Sequence, residues 1–247
     1  MSEVKVNKLS PRSGTTVTLG DSGDTFSIPS GVTLSNSGST TFAGNLSVDG
    51  GTIKLDGNYP TGTDNVALGD TALDSIQAGG INNVAIGDHA GTAITTGDNN
   101  VAVGKSALET NSSASGNTAV GHLSMQDNTD GNGNTSVGSC SMEENTTGSN
   151  NTAIGALALE TNTTGSNNTA VGNQSLEAST TSSSNTAVGF CAMHLNTTGS
   201  QNVAVGFKSL TDNTTGANNV AVGYEALENN TTASENVAVG RCSLYSN

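Results

Sequence analysis

Residues 151–167 read NTAIGALALETNTTGSN, and the same pattern returns along most of the chain. Its opening, Asn-[Val/Thr]-Ala-[Val/Ile/Leu]-Gly, starts at residues 65, 83, 100, 117, 134, 151, 168, 185, 202, 219 and 236. The first step is 18 residues and the nine that follow are all 17. With the positions of this copy numbered 1 to 17, Asn holds position 1 and Gly holds position 5 in every copy. Position 3 is Ala except for Ser136, position 8 is Ala or Ser, and position 9 is Leu or Met except for Gly91. A fixed period of this length marks a solenoid, in which each repeat is one coil stacked on the last.

The chemistry of each position predicts the shape of a coil. Positions 1–5 alternate, with β-branched side chains at 2 and 4, as a strand does. Gly at 5 permits a positive φ or a close backbone approach at the first corner. Positions 7–11, carrying Leu or Met at 9, read as a second strand. The polar run Asn-Thr-Thr-Gly-x-Asn at 12–17 is turn chemistry. Helix is the poorer reading because Gly and Asn recur every few residues. The fold class is therefore all-β, a parallel β-solenoid of 17-residue coils over residues 65–247.

In-register stacking places equivalent residues above one another, so side chains form ladders. The expected structural ladder is the position-1 column: Asn83, Asn100, Asn117, Asn134, Asn151, Asn168, Asn185, Asn202, Asn219 and Asn236, following Asn65. The expected interior of a coil is Ala153, Ile154 and Leu159, which is thin cover for so much ordered backbone. Covering a second apolar face with copies of the same chain would help, so an oligomer is expected. The small residue at position 3 is expected to mark where backbones or sheets approach closely, and the sequence leaves open which face points inward.

Composition narrows the function classes. Of 247 residues 32% are hydrophobic, 3% aromatic and 11% charged, with no Trp. Without the repeat this would resemble a disordered chain. Net charge is −14, and Lys5, Lys8 and Arg12 supply three of the seven basic residues, which argues against a nucleic-acid partner. The N-terminus, MSEVKVNKLSPRSG, has no apolar h-region and no stretch reaches a membrane span, so neither Sec export nor membrane insertion is expected. Cys140, Cys191 and Cys242 lie 51 residues apart, three coils or about 14 Å, which is too far for a disulfide. Free thiols are expected.

Candidate sites are few. No nucleophile-base pairing, Walker loop, Rossmann fingerprint or zinc spacing is present, so no enzyme, cofactor or metal is expected. His89, His122 and His194 share no column. Asp74, Glu109, Glu143, Glu160, Glu177 and Glu228 share position 10, read as a solvated face, with weak divalent-cation binding as the alternative. The Asn-x-Ser/Thr triplets at Asn145, Asn162 and Asn213 read as turns. One column stands apart. Position 6 runs Asp70, Asp88, Lys105, His122, Ser139, Ala156 and Asn173, then Phe190, Phe207, Tyr224 and Arg241, with Tyr245 nearby. The aromatic strip either packs as a ladder or forms an exposed binding strip for a sugar or another fibre protein.

The motif Asn-x-Ala-[Val/Ile]-Gly-x-x-[Ser/Ala], seen as NNVAIGDHA, NTAVGNQSL and NVAVGFKSL, resembles the head repeats of YadA-like trimeric autotransporter adhesins and related repeats of phage tail fibres. The resemblance covers residues 65–247 and implies a left-handed parallel β-roll assembled as a homotrimer. An autotransporter would need a signal peptide, a coiled-coil stalk and a membrane anchor, which are not read here. The opening VNKLSPRSGTTVTLGDSGDTFSIPSG looks like the N-terminal regions of marine phage structural proteins. The expected function is that of a bacteriophage virion fibre, assembled in the host cytoplasm and attaching to a host-surface glycan or protein at its C-terminal end. A bacterial surface adhesin head is the alternative. An ice-binding solenoid is less favoured, because the Thr residues at positions 13 and 14 are adjacent in a turn rather than alternating on a strand.

Residues 1–64 lack the period, which puts a boundary near Tyr59 and Pro60. Short strands are suggested at Thr15–Leu19, Thr25–Ile28, Val32–Leu34, Asn45–Val48 and Thr52–Leu55. This β-rich region is expected to form a shaft, with residues 2–12 attaching it to other virion or tail proteins. The last repeat runs twelve residues to Asn247, and an uncovered coil exposes unpaired backbone groups. Three-fold packing or another protein is expected to cover it.

Overall fold

The computed structural model describes residues 64–246. The N-terminal region read as residues 1–64, its five suggested strands, its attachment segment and the boundary at Tyr59 and Pro60 lie outside the described residues, apart from Asp64. Each repeat contributes one three-residue strand at positions 2–4. These are β1 (Val66–Leu68), β2 (Val84–Ile86), β3 (Val101–Val103), β4 (Thr118–Val120), β5 (Thr135–Val137), β6 (Thr152–Ile154), β7 (Thr169–Val171), β8 (Thr186–Val188), β9 (Val203–Val205), β10 (Val220–Val222) and β11 (Val237–Val239). They form one parallel sheet in sequence order, each residue opposite its equivalent one coil away, as Ala153 is opposite Ala170. Among the described residues there is no helix.

The expected second strand at positions 7–11 is not formed. Positions 7 and 9 take left-handed backbone angles, φ 59° at Leu157 and 56° at Leu159, and this breaks the extended conformation. The axial hydrogen bonds persist nevertheless. Leu157 N–H donates to the Ser139 carbonyl at 3.1 Å, and Leu159 N–H to the Ser175 carbonyl at 2.9 Å. A third left-handed residue closes the coils at position 17, Asn or Gly in most of them, as at Asn150, Asn167 and Gly133, types that tolerate that region, but Ser184, Gln201 and Glu235 in three. Gly at position 5 meets both sequence requirements at once. Gly155 has φ 135°, and a Cβ there would lie 2.5 Å from the Gly172 carbonyl oxygen.

The interior also departs from the expectation. Ala153, Ala158 and Leu159 are fully buried, but Ile154 is 41% exposed. Position 3 points into the coil and positions 2 and 4 point out. The small residue at 3 therefore fits a narrow interior, marking where the backbones of one coil approach closely rather than a contact between copies. In the first two coils, position 12 is the buried Ile76 and Ile94. Ile94 lies beside Gly91, whose missing side chain would meet Ile94 Cδ1 at 2.9 Å. The extra residue of the first coil is absorbed in its turn, because Asn65 reaches Gly80, fifteen residues on, where Asn83 reaches Gly97, fourteen on.

Candidate functional site: buried amide ladders and the outward columns

Asparagine at position 1 acts through both ends of its amide. Asn134 Oδ1 accepts the Asn151 backbone N–H at 2.9 Å, and Asn151 Nδ2 donates to the Gly165 carbonyl at 2.8 Å. The first bond ties coil to coil and the second closes a coil on itself. The same pair of bonds recurs at Asn83, Asn100, Asn117, Asn134, Asn168, Asn185, Asn202 and Asn219. Asn236, in the last coil, keeps the backbone bond to Asn219 Oδ1 at 3.0 Å.

A second ladder, read in the sequence only as turn residues, runs through position 12. Asn162 Nδ2 donates to Asn145 Oδ1 at 2.7 Å and to its own coil's Gly165 carbonyl at 3.1 Å. Asn111, Asn128, Asn145 and Asn162 form one run, and Asn196, Asn213 and Asn230 form another. Ser179 separates them. Its hydroxyl pairs with Ser182 at 2.5 Å, which leaves Asn162 Oδ1 buried without a partner. These asparagines head the Asn-x-Thr triplets at 145, 162 and 213, and each is wholly buried, so the folded coil withholds them from any glycosylating enzyme.

The aromatic column is a stack. Phe190 and Phe207 have centroids 5.4 Å apart at 14°, and Phe207 and Tyr224 have centroids 5.1 Å apart at 9°. Both separations exceed the coil rise of about 4.8 Å, as offset stacking requires. Arg241 lies over the Tyr224 ring at 5.2 Å, and Lys208 Nζ is 5.8 Å from the Phe207 centroid. Phe207 is covered on both faces, so its 39% exposure is edge. A sugar ring stacks on an aromatic face, and within this column those faces are turned toward each other. Tyr245, at position 10 of the last coil, is exposed.

The position-10 column brings carboxylates together over three successive coils, at Glu143, Glu160 and Glu177. Glu109, Glu177 and Glu228 each have a polar or charged neighbour. Glu109 accepts from Gln126 Nε2 at 2.7 Å, Glu177 lies 3.4 Å from His194 Nδ1, and Glu228 lies 3.9 Å from Lys208. Burial, then the negative charges of Glu177, Glu143 and Glu144, push the Glu160 carboxyl above the ordinary glutamate range. Burial, then Glu143 and Glu109, do the same to Asp127 at position 11. Among the described residues no group of three or more His, Cys, Asp or Glu side chains has metal-binding geometry. Cys140, Cys191 and Cys242 are free. Burial raises the first two thiols above their ordinary range, which keeps them protonated and weakly nucleophilic near neutral pH.

Columns 2 and 4 make up the outer face of the sheet. Column 4 is Leu, Ile or Val throughout, and Leu68, Ile86, Val137, Ile154, Val205 and Val239 are exposed. Neither column contains a charged residue. No protein-family model, curated protein or solved structure matches the chain.

Proposed function

We propose that the repeat region is a structural rod that associates with copies of itself through the outer face of β1–β11, and that the chain serves as a trimeric virion fibre displaying its C-terminal coils for attachment to a host surface. The observation that carries the self-association is this uncharged face, aliphatic at every level of column 4 and Val or Thr in column 2. Eleven coils at about 4.8 Å give a strip about 50 Å long. At roughly 10 Å wide it covers on the order of 500 Å², the upper end of what monomeric proteins leave exposed. The thin interior adds to the case, since Ala and one Leu or Met per coil leave much of the apolar content outside. Trimeric state and the viral setting come from the resemblance of the repeat motif.

In this reading the rod works by presentation. Its backbone ladders hold equivalent residues at fixed spacing, and three copies would turn weak contacts into avid ones. The aromatic edges of Phe190, Phe207 and Tyr224, flanked by Arg241, Lys208 and Tyr245, are the surface offered to a host glycan or protein or to a second fibre protein. The N-terminal region would join the rod to other virion or tail proteins. Immunogold labelling of purified particles tests the setting, and label on a fibre is expected. Label confined to bacterial surfaces would favour the adhesin reading. Removing the last three coils should lower adsorption while particles stay intact, and unchanged adsorption would reduce the rod to a spacer.

A further inference from the structure

Coils this similar create a difficulty for any side-by-side assembly. Sliding one copy past another by one coil, about 4.8 Å, presents nearly the same side chains again. Something on the outward face must differ from level to level if the copies are to align. Column 4 does not supply it, being aliphatic in every coil.

Column 2 does. It reads Val66, Val84 and Val101, then Thr118, Thr135, Thr152, Thr169 and Thr186, then Val203, Val220 and Val237. That is three valines, five threonines and three valines, on the same face as column 4. Valine and threonine are close in shape, and both strand types pair in the same register, Thr152 with Thr169 and Val203 with Val220. Coil stacking is therefore indifferent to the choice. The five hydroxyls also make no hydrogen bond within the chain. Threonines in column 13 behave differently, as Thr146 Oγ1 donates to the Thr163 carbonyl at 2.9 Å.

We infer that this banding is a register code, by which copies of this chain associate level with level through the outer face of β1–β11. The inference rests on the self-association proposed above. At zero stagger, hydroxyls meet hydroxyls and can pair, and valines meet valines. A stagger of one coil sets a hydroxyl against a valine at both edges of the threonine band, where burial leaves the hydroxyl without a partner. Each further coil of stagger adds two more such mismatches until the bands part. Closed rings of copies have no stagger, whereas a staggered contact repeats into an open filament, so the code favours closure. The pattern is symmetric about Thr152, so it sets level and not direction.

Disulfide trapping in the full chain tests this. With Cys140, Cys191 and Cys242 replaced by Ser, one population carries Ile154→Cys and a second carries Val171→Cys, one coil away. The 154–154 product should exceed the 154–171 product by about tenfold or more, the discrimination of one or more unpaired buried hydroxyls. Moving the band by one coil, with Thr118→Val and Val203→Thr in the Val171→Cys chain, should reverse the preference when that chain is mixed with the Ile154→Cys chain. Persistence of the 154–154 preference in that mixture, or undiminished selectivity after all five threonines become valine, would overturn the register code alone. A chain that sediments as a monomer would overturn the self-association and the code together.

Discussion

Inward and outward columns of the same coils obey different rules. Columns 1, 3, 8 and 9 hardly vary over eleven coils, and between the first and last coils their members are buried. Columns 2 and 6 change along the chain in blocks, valine to threonine and back and polar to aromatic, while column 10 mixes carboxylates with Thr, Gln, His and Tyr. The interior has one solution at this width, because Ala at 3 faces Leu or Met at 9 and the amides of 1 and 12 close the corners. The exterior is released from that constraint, so its variation records what lies outside the coil. The inward columns therefore report the fold, and the outward columns are free to vary without disturbing it.

Substitutions separate the two sets by size of effect. The largest is expected at the corner. Gly155→Ala meets both the φ of 135° and the Gly172 carbonyl, and should cost about 2–6 kcal/mol as strain and overpacking add, measured as loss of denaturant midpoint. Asn151→Ala comes next. It strands the Asn168 N–H, leaves the Gly165 carbonyl with the Asn162 amide as its one side-chain donor, and should cost about 1–3 kcal/mol, whereas the adjacent outward Thr152→Val should change monomer stability by under about 0.5 kcal/mol. A cost at Thr152 equal to that at Asn151 would erase the distinction. The pair Ser179→Asn with Ser182→Gly should join the two Asn runs, give Asn162 Oδ1 a donor and stabilise by about 1–2 kcal/mol; a loss of stability would show that the break is needed.

The smallest effect is electrostatic. Because the folded state raises the Glu160 and Asp127 carboxyl pKa values, it binds these protons more tightly than the unfolded chain. Stability contributed by protonation is therefore present at low pH and is lost as pH rises through the raised carboxyl values. Thermal midpoints should rise modestly on acidification from neutral pH toward those values, and Glu160→Gln should flatten that slope. A midpoint that falls over the same interval in the parent chain would contradict the assignment.

Much of the fold was legible from the period and two invariant positions, because Gly at 5 and Asn at 1 leave few alternatives to a stacked coil. The direction of the strand face was not. Alternation announces two faces, and bulk favours putting Ile154 inside, but the opposite wall already supplies Leu159 and leaves room only for Ala153. The second strand failed for a related reason. Alternation at 7–11 looks the same whether the backbone is extended or turns through left-handed residues, and Leu157 and Leu159 carry no propensity that reveals it. The position-12 ladder was hidden by residue type, since Asn before Thr-Thr-Gly is equally good turn chemistry. The aromatic column was visible in the sequence, while the way its faces close on one another required coordinates.

The division between inside and outside is tested most directly by sedimentation velocity on the full chain and on a Val137→Glu/Val205→Glu variant, with circular dichroism on both. Self-association through the outer face predicts that the parent sediments above its 24.4 kDa monomer mass, near three times that mass if it forms the proposed trimer. The variant should sediment as a monomer with an unchanged spectrum. A parent that remains monomeric at every concentration, or a variant that assembles as well as the parent, would contradict it.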